Sequence, residues 1–425
     1  MTAATNVAPK RAPLQLQPRV YWLTTEFFPP QMGGTGIITA RLADALAERG
    51  IEVQVITRQT LPRCAAQQQI RRVRVRRLPP GGLMKGVGWR AVPAMFAFLT
   101  RLAMLLITAR RRYDLVIISG MKTIPLAAVP VCRLLGKKCI IRIESPFEIA
   151  EPISAESLAR MSSGAGRRFS RLLMRAQQIV LRGADRVVAI SEDIATPLRG
   201  LGYPEARIAS IPNAIDLARF RPVAAAERQL LRDRLGLPPD RTILLYVGRL
   251  SRAKGVMMLL QTLPGLIATD PDLLLVLVGS GHDSWDDCED EVVSFVRTHR
   301  LDAHVTLAGQ SDCVPEYLQS ADLFVSPSDY EGFGLTIVEA LACELPVVTT
   351  AVGIATQIVH HDANGFLCPP KDASALSAAL ELALRERQRW PEIGRLARAA
   401  AARFDLPRVI DQYLGLCAEL HNAKE

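Results

Sequence analysis

The sequence predicts an α/β protein of two doubly wound domains that face each other across a cleft. Short apolar runs alternate with helical patterns along the chain, and the alternation restarts after residue 220. At 425 residues, the chain is too long for one ordinary domain. With 49% hydrophobic and 22% charged residues, it has the composition of a globular protein, which excludes disordered and collagen-like classes.

The first half has the pattern of a parallel sheet that is covered by helices on both faces. Its apolar runs are bounded by turn residues and have the length of buried strands. The predicted strands are RVYWLTTE (19–26), IEVQVIT (51–57), DLVIISG (114–120), KKCIIRI (137–143) and DRVVAIS (185–191). Helices are predicted between them over IITARLADALAERG, 91–109, 125–135 and 157–182.

The second half repeats this alternation. Its predicted strands are TILLYVGRL (242–250), LLLVLVGSG (273–281), HVTLAGQ (304–310), ADLFVSPS (321–328) and LPVVTT (345–350). The segment IPNAIDLARFRPV is rich in turn residues and is predicted to link the two halves. Ligands bind beyond the carboxyl ends of the strands in such sheets, so the active site is expected in the cleft between the domains.

The charge differs between the two halves. The formal net charge of +10 combines residues 1–225, with 34 Lys and Arg against 14 Asp and Glu, and residues 226–425, with 18 against 28. A basic half joined to an acidic half suggests two domains that meet different partners, and only the first suits an anionic surface.

The eight cysteines are scattered along the chain and include no C-x-x-C pair. This distribution predicts reduced core thiols of a cytoplasmic protein, and argues against a disulfide framework or a zinc site. Residues 1–18 have no apolar core of the kind found in signal peptides, so we predict a disordered leader there.

The apolar stretch AVPAMFAFLTRLAMLLITA (91–109) is almost long enough to span a bilayer. Arg101 lies at its middle, however, where insertion into a membrane costs about 2.5–3.5 kcal/mol. We therefore interpret the stretch as a buried helix that packs on a sheet.

The segment SPSDYEGFGLTIVEALACELPVVTT (326–350) is the most informative one. A predicted strand ends, a glycine loop follows, and a helix begins near Thr336. Without a Cβ atom, Gly332 and Gly334 let backbone N–H groups approach a ligand, and the helix N-terminus behind them favours an anion such as a diphosphate. Glu331 and Glu339 can accept hydrogen bonds from sugar hydroxyls. The alternative is a glycine turn with two solvated glutamates.

These residues resemble the family-four glycosyltransferases of the GT-B fold. The family hallmark, a Glu, seven residues and a second Glu, reads E-GFGLTIV-E here. Other matching segments, in the expected order, are FFPPQMGGTG, VVAISED, IPNAIDLARFRP, YVGRLSRAKGV, VGSGHD, LAGQ and ANGFLCPPKD. The resemblance extends from residue 19 to residue 415 and implies two Rossmann-like domains. We predict their bounds as 19–215 and 216–403, with a C-terminal helix, 404–425, that returns to the first domain.

The resemblance implies a role for each matching residue. Arg249 and Lys254 are expected to bind the diphosphate of a nucleotide sugar, and their charge on a strand-to-helix loop independently suits that task. Glu331 is expected to bind the donor sugar, and Glu339 the ribose. Arg249, Lys254 and Glu331 form the implied catalytic set. The other implied donor-binding residues are Gly33, Gly34, Gly332, Phe333, Gly334, Leu335 and Thr336.

The resemblance also implies transfer of a sugar with retention of configuration, without a metal ion or another cofactor. The sequence agrees on the metal, because no D-x-D pair stands at a strand end near the implied site. An acidic cluster follows Gly281 and is interpreted as a solvated loop in preference to a cation site. Its members are Asp283, Asp286, Asp287 and Glu289–Glu291.

The expected mechanism follows from the charges. When the glycosidic C–O bond breaks, negative charge builds on the leaving diphosphate, where Arg249, Lys254 and the helix N-terminus stabilise it. The departing phosphate can accept the proton of the acceptor hydroxyl on the same face of the sugar. Retention then needs no side-chain base.

The sequence departs from the family pattern at two places. All six histidines lie after residue 280, whereas many relatives place a histidine near the donor sugar in the N-terminal domain. The corresponding segment, IIRIESPFE, offers Glu144 and Glu148 instead. Glu144 is expected either to contact the sugar or acceptor or to pair with Arg142 or another cation. Gln357 stands where relatives often have Glu, which leaves the sugar preference open.

The basic half has two cationic segments. In QIRRVRVRRLPP, alternation places Val73 and Val75 on one face and Arg72, Arg74 and Arg76 on the other. The predicted helix 157–182 carries Arg160, Arg167, Arg168, Arg171, Arg175 and Arg182. This helix is expected either to lie on anionic lipid headgroups or to form a solvated cationic face. Nucleic acid is not expected as a partner, because aromatic residues are only 5% of the chain and form no stacking platform.

Together these observations predict a retaining hexosyltransferase that uses a nucleotide-diphosphate sugar and a glycan or lipid-linked glycan acceptor, in polysaccharide or cell-envelope biosynthesis. The expected location is cytoplasmic, with peripheral attachment to the inner face of the membrane as an open alternative. Two other functions remain open: a non-catalytic GT-B protein that binds carbohydrate or nucleotide sugars, and a GT-B nucleotide-sugar epimerase.

Overall fold

The computed structural model describes residues 20–25, 28, 34–59, 64–80, 91–145, 149, 175, 177–281 and 286–422. The predicted leader, residues 1–18, and most of the predicted basic helix 157–182 lie outside these ranges.

The first domain contains the strands of one sheet, which are β1 (Val20–Thr25), β2 (Glu52–Arg58), β3 (Gln67–Ile70), β4 (Val73–Leu78), β5 (Leu115–Ser119), β6 (Lys138–Ile143), β7 (Arg186–Ala189) and β8 (Ile208–Ser210). Their order in the sheet is β3-β4-β2-β1-β5-β6-β7-β8. Neighbouring strands are parallel except β3 and β4, which are antiparallel. The helices of this domain are α1 (Gly34–Glu48), α2 (Ala91–Thr108), α3 (Ile124–Leu134) and α4 (Glu192–Gly200).

Strand β5 shows why the sequence of this sheet consists of continuous apolar runs. All five of its residues are buried. Leu115 and Ile117 belong to the apolar cluster that includes α1, whereas Val116 and Ile118 belong to the cluster that includes α2 and α3. Successive side chains of a strand point to opposite faces, so both faces of this sheet are covered.

The second domain has a parallel sheet with the strands β9 (Thr242–Val247), β10 (Leu273–Val278), β11 (Val305–Gly309), β12 (Leu323–Ser326), β13 (Val347–Thr350) and β14 (Phe366–Cys368). Their order is β11-β10-β9-β12-β13-β14. The remaining helices are α5 (Ala225–Leu235), α6 (Val256–Thr269), α7 (Glu289–Thr298), α8 (Val314–Ser320), α9 (Leu335–Ala342), α10 (Ala355–Ile358), α11 (Ala373–Arg385), α12 (Trp390–Ala401) and α13 (Leu406–Asn422). Two such domains confirm the predicted fold class.

The apolar stretch that begins at residue 91 forms α2 and packs on the first sheet. Leu102 and Leu106 are fully buried, and Arg101 donates a hydrogen bond from Nη1 to the carbonyl oxygen of Pro79 at 3.0 Å. Among the residues that the structure describes, no helix is both long enough and apolar enough to cross a membrane.

The chain passes between the domains twice, at neighbouring positions. Ile215 of the linker and Asp405 form a parallel bridge, with Ile215 N–H bonded to the Phe404 carbonyl at 2.9 Å and Leu406 N–H bonded to the Ile215 carbonyl at 2.9 Å. Helix α13 then packs against the first domain, where Val409, Ile410 and Tyr413 join the apolar cluster of α1. The second domain is therefore tied to the first at two adjacent crossings.

Candidate active site

The site lies at the carboxyl edge of the second sheet, where the loops after β9 and β12 meet. Strands β9 and β12 are neighbours, so the segments that follow them start side by side. Gly255 has φ +70°, and a Cβ atom there would lie 2.0 Å from the carbonyl oxygen of Pro327. The backbone of Asp329 also donates to the Ala253 carbonyl at 2.9 Å. Only glycine allows the two loops to approach this closely.

Lys254 and Glu331, two residues of the predicted catalytic set, meet across these loops. Lys254 Nζ donates a hydrogen bond to Glu331 Oε1 at 2.6 Å, and the Ser328 hydroxyl donates to the same oxygen at 2.8 Å. The two charged side chains keep 21% and 15% of their surface exposed. They are therefore fixed in position and still open to a ligand.

Arg249, the third residue of this set, lies on the loop after β9, and its side chain is exposed. Its carbonyl oxygen accepts a hydrogen bond from the Tyr246 hydroxyl at 2.6 Å. Burial raises the pKa of Tyr246 well above its ordinary value, so the phenol stays protonated and remains a donor. Tyr246 thus anchors the backbone that carries the Arg249 guanidinium.

Asp286 holds the turn that carries Lys254. Its Oδ2 accepts a hydrogen bond from Ala253 N–H at 3.1 Å, and its carbonyl oxygen accepts one from Arg252 N–H at 3.1 Å. Glu289, in the same acidic cluster, accepts from Gly281 N–H at 2.7 Å and from the Ser280 hydroxyl at 2.9 Å.

The structure therefore corrects the interpretation of the acidic cluster as a solvated loop at two residues, whereas Asp287, Asp290 and Glu291 are exposed as expected. Asp286 is buried, and both Asp286 and Glu289 satisfy backbone donors of the site loops. Asp283 lies outside the described residues. Within the described ranges, no group of three or more His, Cys, Asp and Glu side chains is placed to hold a metal ion.

The glycine loop lies against the first domain. A Cβ atom on Gly332 would lie 2.3 Å from the carbonyl oxygen of Glu144, at the end of β6. Gly334 has φ +93° and precedes the first residue of α9. The Phe333 ring is buried edge-on against Phe404, with 5.7 Å between centroids. Each glycine thus meets a separate requirement, one for close domain contact and one for a left-handed backbone.

The remaining donor-site residues are distributed around this loop. The Phe333 carbonyl accepts a hydrogen bond from Ile354 N–H at 2.8 Å. Leu335 and Thr336 form the first turn of α9 and are partly buried. Gly34 is the first residue of α1, and Gly33 lies outside the described residues.

Glu339 lies one turn into α9 and is buried. Its Oε1 accepts a hydrogen bond from Nη2 of Arg41, on α1 of the opposite domain, at 3.1 Å. Burial raises the pKa of the Glu339 carboxyl, and the charges of Arg41 and Arg219 oppose that rise. The carboxylate that the resemblance gives to the ribose is therefore paired with a cation of the other domain.

Glu144 is paired with Arg142, one of the two alternatives that the sequence left open. Arg142 Nη1 donates to Glu144 Oε1 at 2.7 Å, and Nη2 donates to Asn213 Oδ1 at 2.5 Å. Arg142 is only 1% exposed, so this pair is internal. Glu148, the second carboxylate considered for this segment, lies outside the described residues. Gln357, on α10, is half-buried.

Several contacts of the site have no clear signal in the sequence. Asp286 occurs among acidic residues that resemble a surface loop, and its partner is 33 positions away. Arg41 has the sequence context of the polar side of an amphipathic helix. Tyr330 shares a hydrogen bond of 2.7 Å with the Ser145 hydroxyl of the first domain. Each of these contacts depends on how the chain folds back on itself.

Known proteins match both halves of the chain. Residues 33–214 match the family described as "Glycosyl transferase 4-like domain", and residues 227–400 match "Glycosyl transferases group 1". A D-inositol 3-phosphate glycosyltransferase from Kineococcus radiotolerans is 30% identical over 395 residues, which cover 87% of this chain and 86% of the relative.

Solved structures agree with this result. The sucrose-phosphate synthase of Thermosynechococcus elongatus has a TM-score of 0.79 and 26% identity, covering 95% of this chain and 100% of that one. Anabaena HepE, solved in complex with UDP-glucose, has a TM-score of 0.73 and 20% identity, covering 94% and 99%. The chain belongs to the group 1 glycosyltransferases of the GT-B fold, and the resemblance found in the sequence is confirmed.

Proposed function

We propose that the protein is a retaining, metal-independent hexosyltransferase that uses a nucleoside diphosphate sugar as donor. The proposed acceptor is a glycan or lipid-linked glycan of polysaccharide or cell-envelope biosynthesis. Membership of the group 1 glycosyltransferases supports the transferase activity. The finer assignment is carried by one observation, the contact between Lys254 and Glu331 at the mouth of the cleft.

This contact joins two groups that suit the two sides of the sugar–diphosphate bond of a nucleotide sugar. The Lys254 ammonium is a compact positive charge suited to a diphosphate oxygen, whereas the Glu331 carboxylate accepts hydrogen bonds from sugar hydroxyls. The Glu331 carboxylate has several acceptor positions, so it can bind a hydroxyl while it keeps Lys254 in place. The scissile bond of the donor would then lie between them.

The same geometry supports the proposed mechanism. Lys254 and the exposed Arg249 place positive charge at the edge of the sheet, near the N-terminus of α9. Charge that develops on the leaving diphosphate is stabilised most by groups that are already fixed, because they need no reorganisation during the reaction. These cations supply the charge that a metal ion provides in other transferases. We therefore expect neither a metal ion nor another cofactor to be required.

The known proteins support a nucleotide sugar as donor. HepE was solved with UDP-glucose, and the Kineococcus relative is named as a glycosyltransferase. The base, the sugar and the acceptor of this chain are open to a direct binding screen, because a ligand that binds only the folded protein raises its apparent stability.

For the cellular location, we propose the cytoplasm, with peripheral attachment of the first domain to an anionic membrane surface. Two apolar side chains of α2 support attachment, because Phe96 is 66% exposed and Met104 is 55% exposed. The arginines of the β3–β4 hairpin contribute less positive charge for membrane attachment than their number indicates. Three of them pair with carboxylates of the same domain, in the pairs Arg71–Asp44, Arg72–Glu48 and Arg74–Glu52.

Three experiments test these proposals. Proton NMR of the product formed from an α-linked donor should show an α linkage, and a β linkage would exclude retention. Transfer should also persist after dialysis against EDTA.

Flotation with vesicles of anionic lipid and of neutral lipid should show stronger binding to the anionic vesicles. Equal binding to both would exclude the electrostatic attachment.

A further inference from the structure

Arg41 contacts Glu339 directly across the domain boundary. It lies on α1 of the first domain, and its Nη2 donates to Oε1 of Glu339, on α9 of the second domain, at 3.1 Å. The two residues are 298 positions apart in the chain. The Glu339 side chain is 7% exposed and the Arg41 side chain 22%, so the ion pair is largely shielded from water.

The position of the Arg41 guanidinium is defined by its surroundings. Its Cζ lies 5.8 Å from the centroid of the Phe220 ring, which is buried in the linker between the domains. Arg219 approaches the same ring at 5.9 Å. The Nη1 atom of Arg41 is buried and has no hydrogen-bond partner in the part of the chain that the structure describes. Arg41 therefore has a further donor to offer beside the Glu339 carboxylate.

Fold stability alone is a weak explanation for this pair. Removing two charges from water costs free energy that their attraction offsets only partly, so buried ion pairs often add little to stability. A role in binding explains the pair better. A buried carboxylate that binds a hydroxyl must remain charged, and a fixed cation nearby keeps it charged.

We propose that Arg41 is a positioning residue for the donor ribose, because it holds the Glu339 carboxylate in place from the opposite domain. The inference rests on the ribose role that the proposed function gives to Glu339. Beyond that role, the inference states that recognition of the nucleotide depends on contact between the two domains.

The electrostatics of Glu339 give the proposal a measurable consequence. Burial raises the pKa of its carboxyl, and Arg41 and Arg219 oppose the rise. Among the residues that the structure describes, the Cys343 thiol also lies near Glu339. Burial raises the pKa of this thiol, and the charges of Arg398 and Arg221 oppose the rise. Without Arg41, Glu339 is protonated at a higher pH than in the unaltered protein. Its binding of ribose hydroxyls then weakens first at low pH.

The test compares Arg41→Met with Arg41→Lys in the full-length protein. The probes are whichever of UDP, GDP and ADP binds the unaltered protein most tightly and the 2′,3′-dideoxy form of the same nucleotide. Their affinities are measured by calorimetry at pH 6 and pH 8. Arg49→Met is the matched control, because Arg49 lies just after α1 and pairs with the exposed Asp411.

We expect Arg41→Met to weaken binding of the ribonucleotide about tenfold or more, since a hydrogen bond to a charged group is lost. The loss should be larger at pH 6 than at pH 8, and Arg41→Lys should recover part of the affinity. The dideoxy nucleotide lacks these hydroxyls, so it should bind Arg41→Met almost as tightly as it binds the unaltered protein. Arg49→Met should leave both affinities unchanged.

Each other outcome contradicts a specific statement. If Arg41→Met weakens the binding of both nucleotides equally, or of neither, Arg41 does not act through the ribose and the inference is wrong. Glu339→Gln is measured in parallel. If Glu339→Gln also fails to distinguish the two nucleotides, the ribose role of Glu339 fails, and the inference about Arg41 fails with it. If Glu339→Gln distinguishes them and Arg41→Met does not, only the role of Arg41 is refuted.

Discussion

Lys254 Nζ lies 2.6 Å from Glu331 Oε1, although the two residues are 77 positions apart and follow different strands. Their meeting depends on the adjacency of β9 and β12 and on Gly255, whose missing side chain lets one loop touch the other. The contact thus joins the fold to the proposed chemistry.

Replacing Lys254 with Ala should lower donor-dependent transfer by about 10²–10³-fold, the usual effect of removing one electrostatic stabiliser of a transition state. Steady-state kinetics with the donor found by a binding screen measures this effect. Lys371→Ala is the matched control, because Lys371 is an exposed lysine of the same domain. Equal activity of both variants would remove Lys254 from the mechanism.

Gly255→Ala should lower the free energy of unfolding by about 1–3 kcal/mol, because it imposes a left-handed backbone and a clash with the Pro327 carbonyl. Gly265→Ala is the control. Gly265 lies within α6, and a Cβ atom there would meet nothing within 4 Å. Since alanine favours a helix, this variant should gain about 0.5–1 kcal/mol. Urea denaturation of both variants gives the comparison, and equal stabilities would contradict the packing described at Gly255.

Gly332→Ala should act on the contact between domains more than on the fold of either domain. Its Cβ atom would lie 2.3 Å from the Glu144 carbonyl of the first domain, so the domains cannot meet as they do here. We expect transfer to fall at least tenfold, about 1.4 kcal/mol, while the thermal midpoint changes little. A large loss of stability with a proportional loss of activity would instead indicate a defect within the second domain.

Asp286→Ala should raise the KM for the donor and lower stability by about 1–3 kcal/mol, because the half-buried Ala253 N–H loses its acceptor. Asp290→Ala is the control, because Asp290 is an exposed member of the same acidic cluster. The donor KM and the urea midpoint of each variant measure the two effects. If both variants behave alike, the acidic cluster acts only through its net charge.

The pKa of Glu339 predicts a pH dependence of stability. Because burial raises this pKa in the folded protein, the folded state binds more protons than the unfolded chain as the carboxyl ionises, and stability falls as the pH rises through that range. Glu339→Gln removes this titration. The stability of the variant relative to the unaltered protein should therefore increase between pH 4 and pH 8, as measured by calorimetric scans. A constant difference would contradict the shift.

Much of the fold could be predicted because buried parallel strands are continuous apolar runs. Strand β5 and its neighbours on both sides have this signal. Strand β3, with the sequence QQQI, has no such signal and is exposed on three of its four residues. It forms because Arg71, with φ +50°, turns the chain back onto β4. An arginine is not a typical residue for such a turn, so this hairpin could not be predicted.

Some residues of the site could likewise be predicted from the sequence, and others could not. The segment around Glu331 is recognisable because its glycines and carboxylates follow one another along the chain. Asp286 and Arg41 act on partners that are distant in sequence, and each looks locally like a surface residue. The sequence could not decide between the two roles of Glu144. The pairing with Arg142 depends on the packed domain, in which the Arg142 guanidinium donates to both Glu144 and Asn213.

A thermal-shift screen of the unaltered protein and Lys254→Ala against UDP, GDP, ADP and their sugars tests the central claim most directly. A nucleoside diphosphate sugar at about 100 times its Kd adds about 2.7 kcal/mol of apparent stability. We predict that at least one of these ligands raises the melting temperature of the unaltered protein and raises that of Lys254→Ala much less. If no ligand stabilises the unaltered protein, or if both proteins respond equally, the cleft at Lys254 and Glu331 is not a donor site.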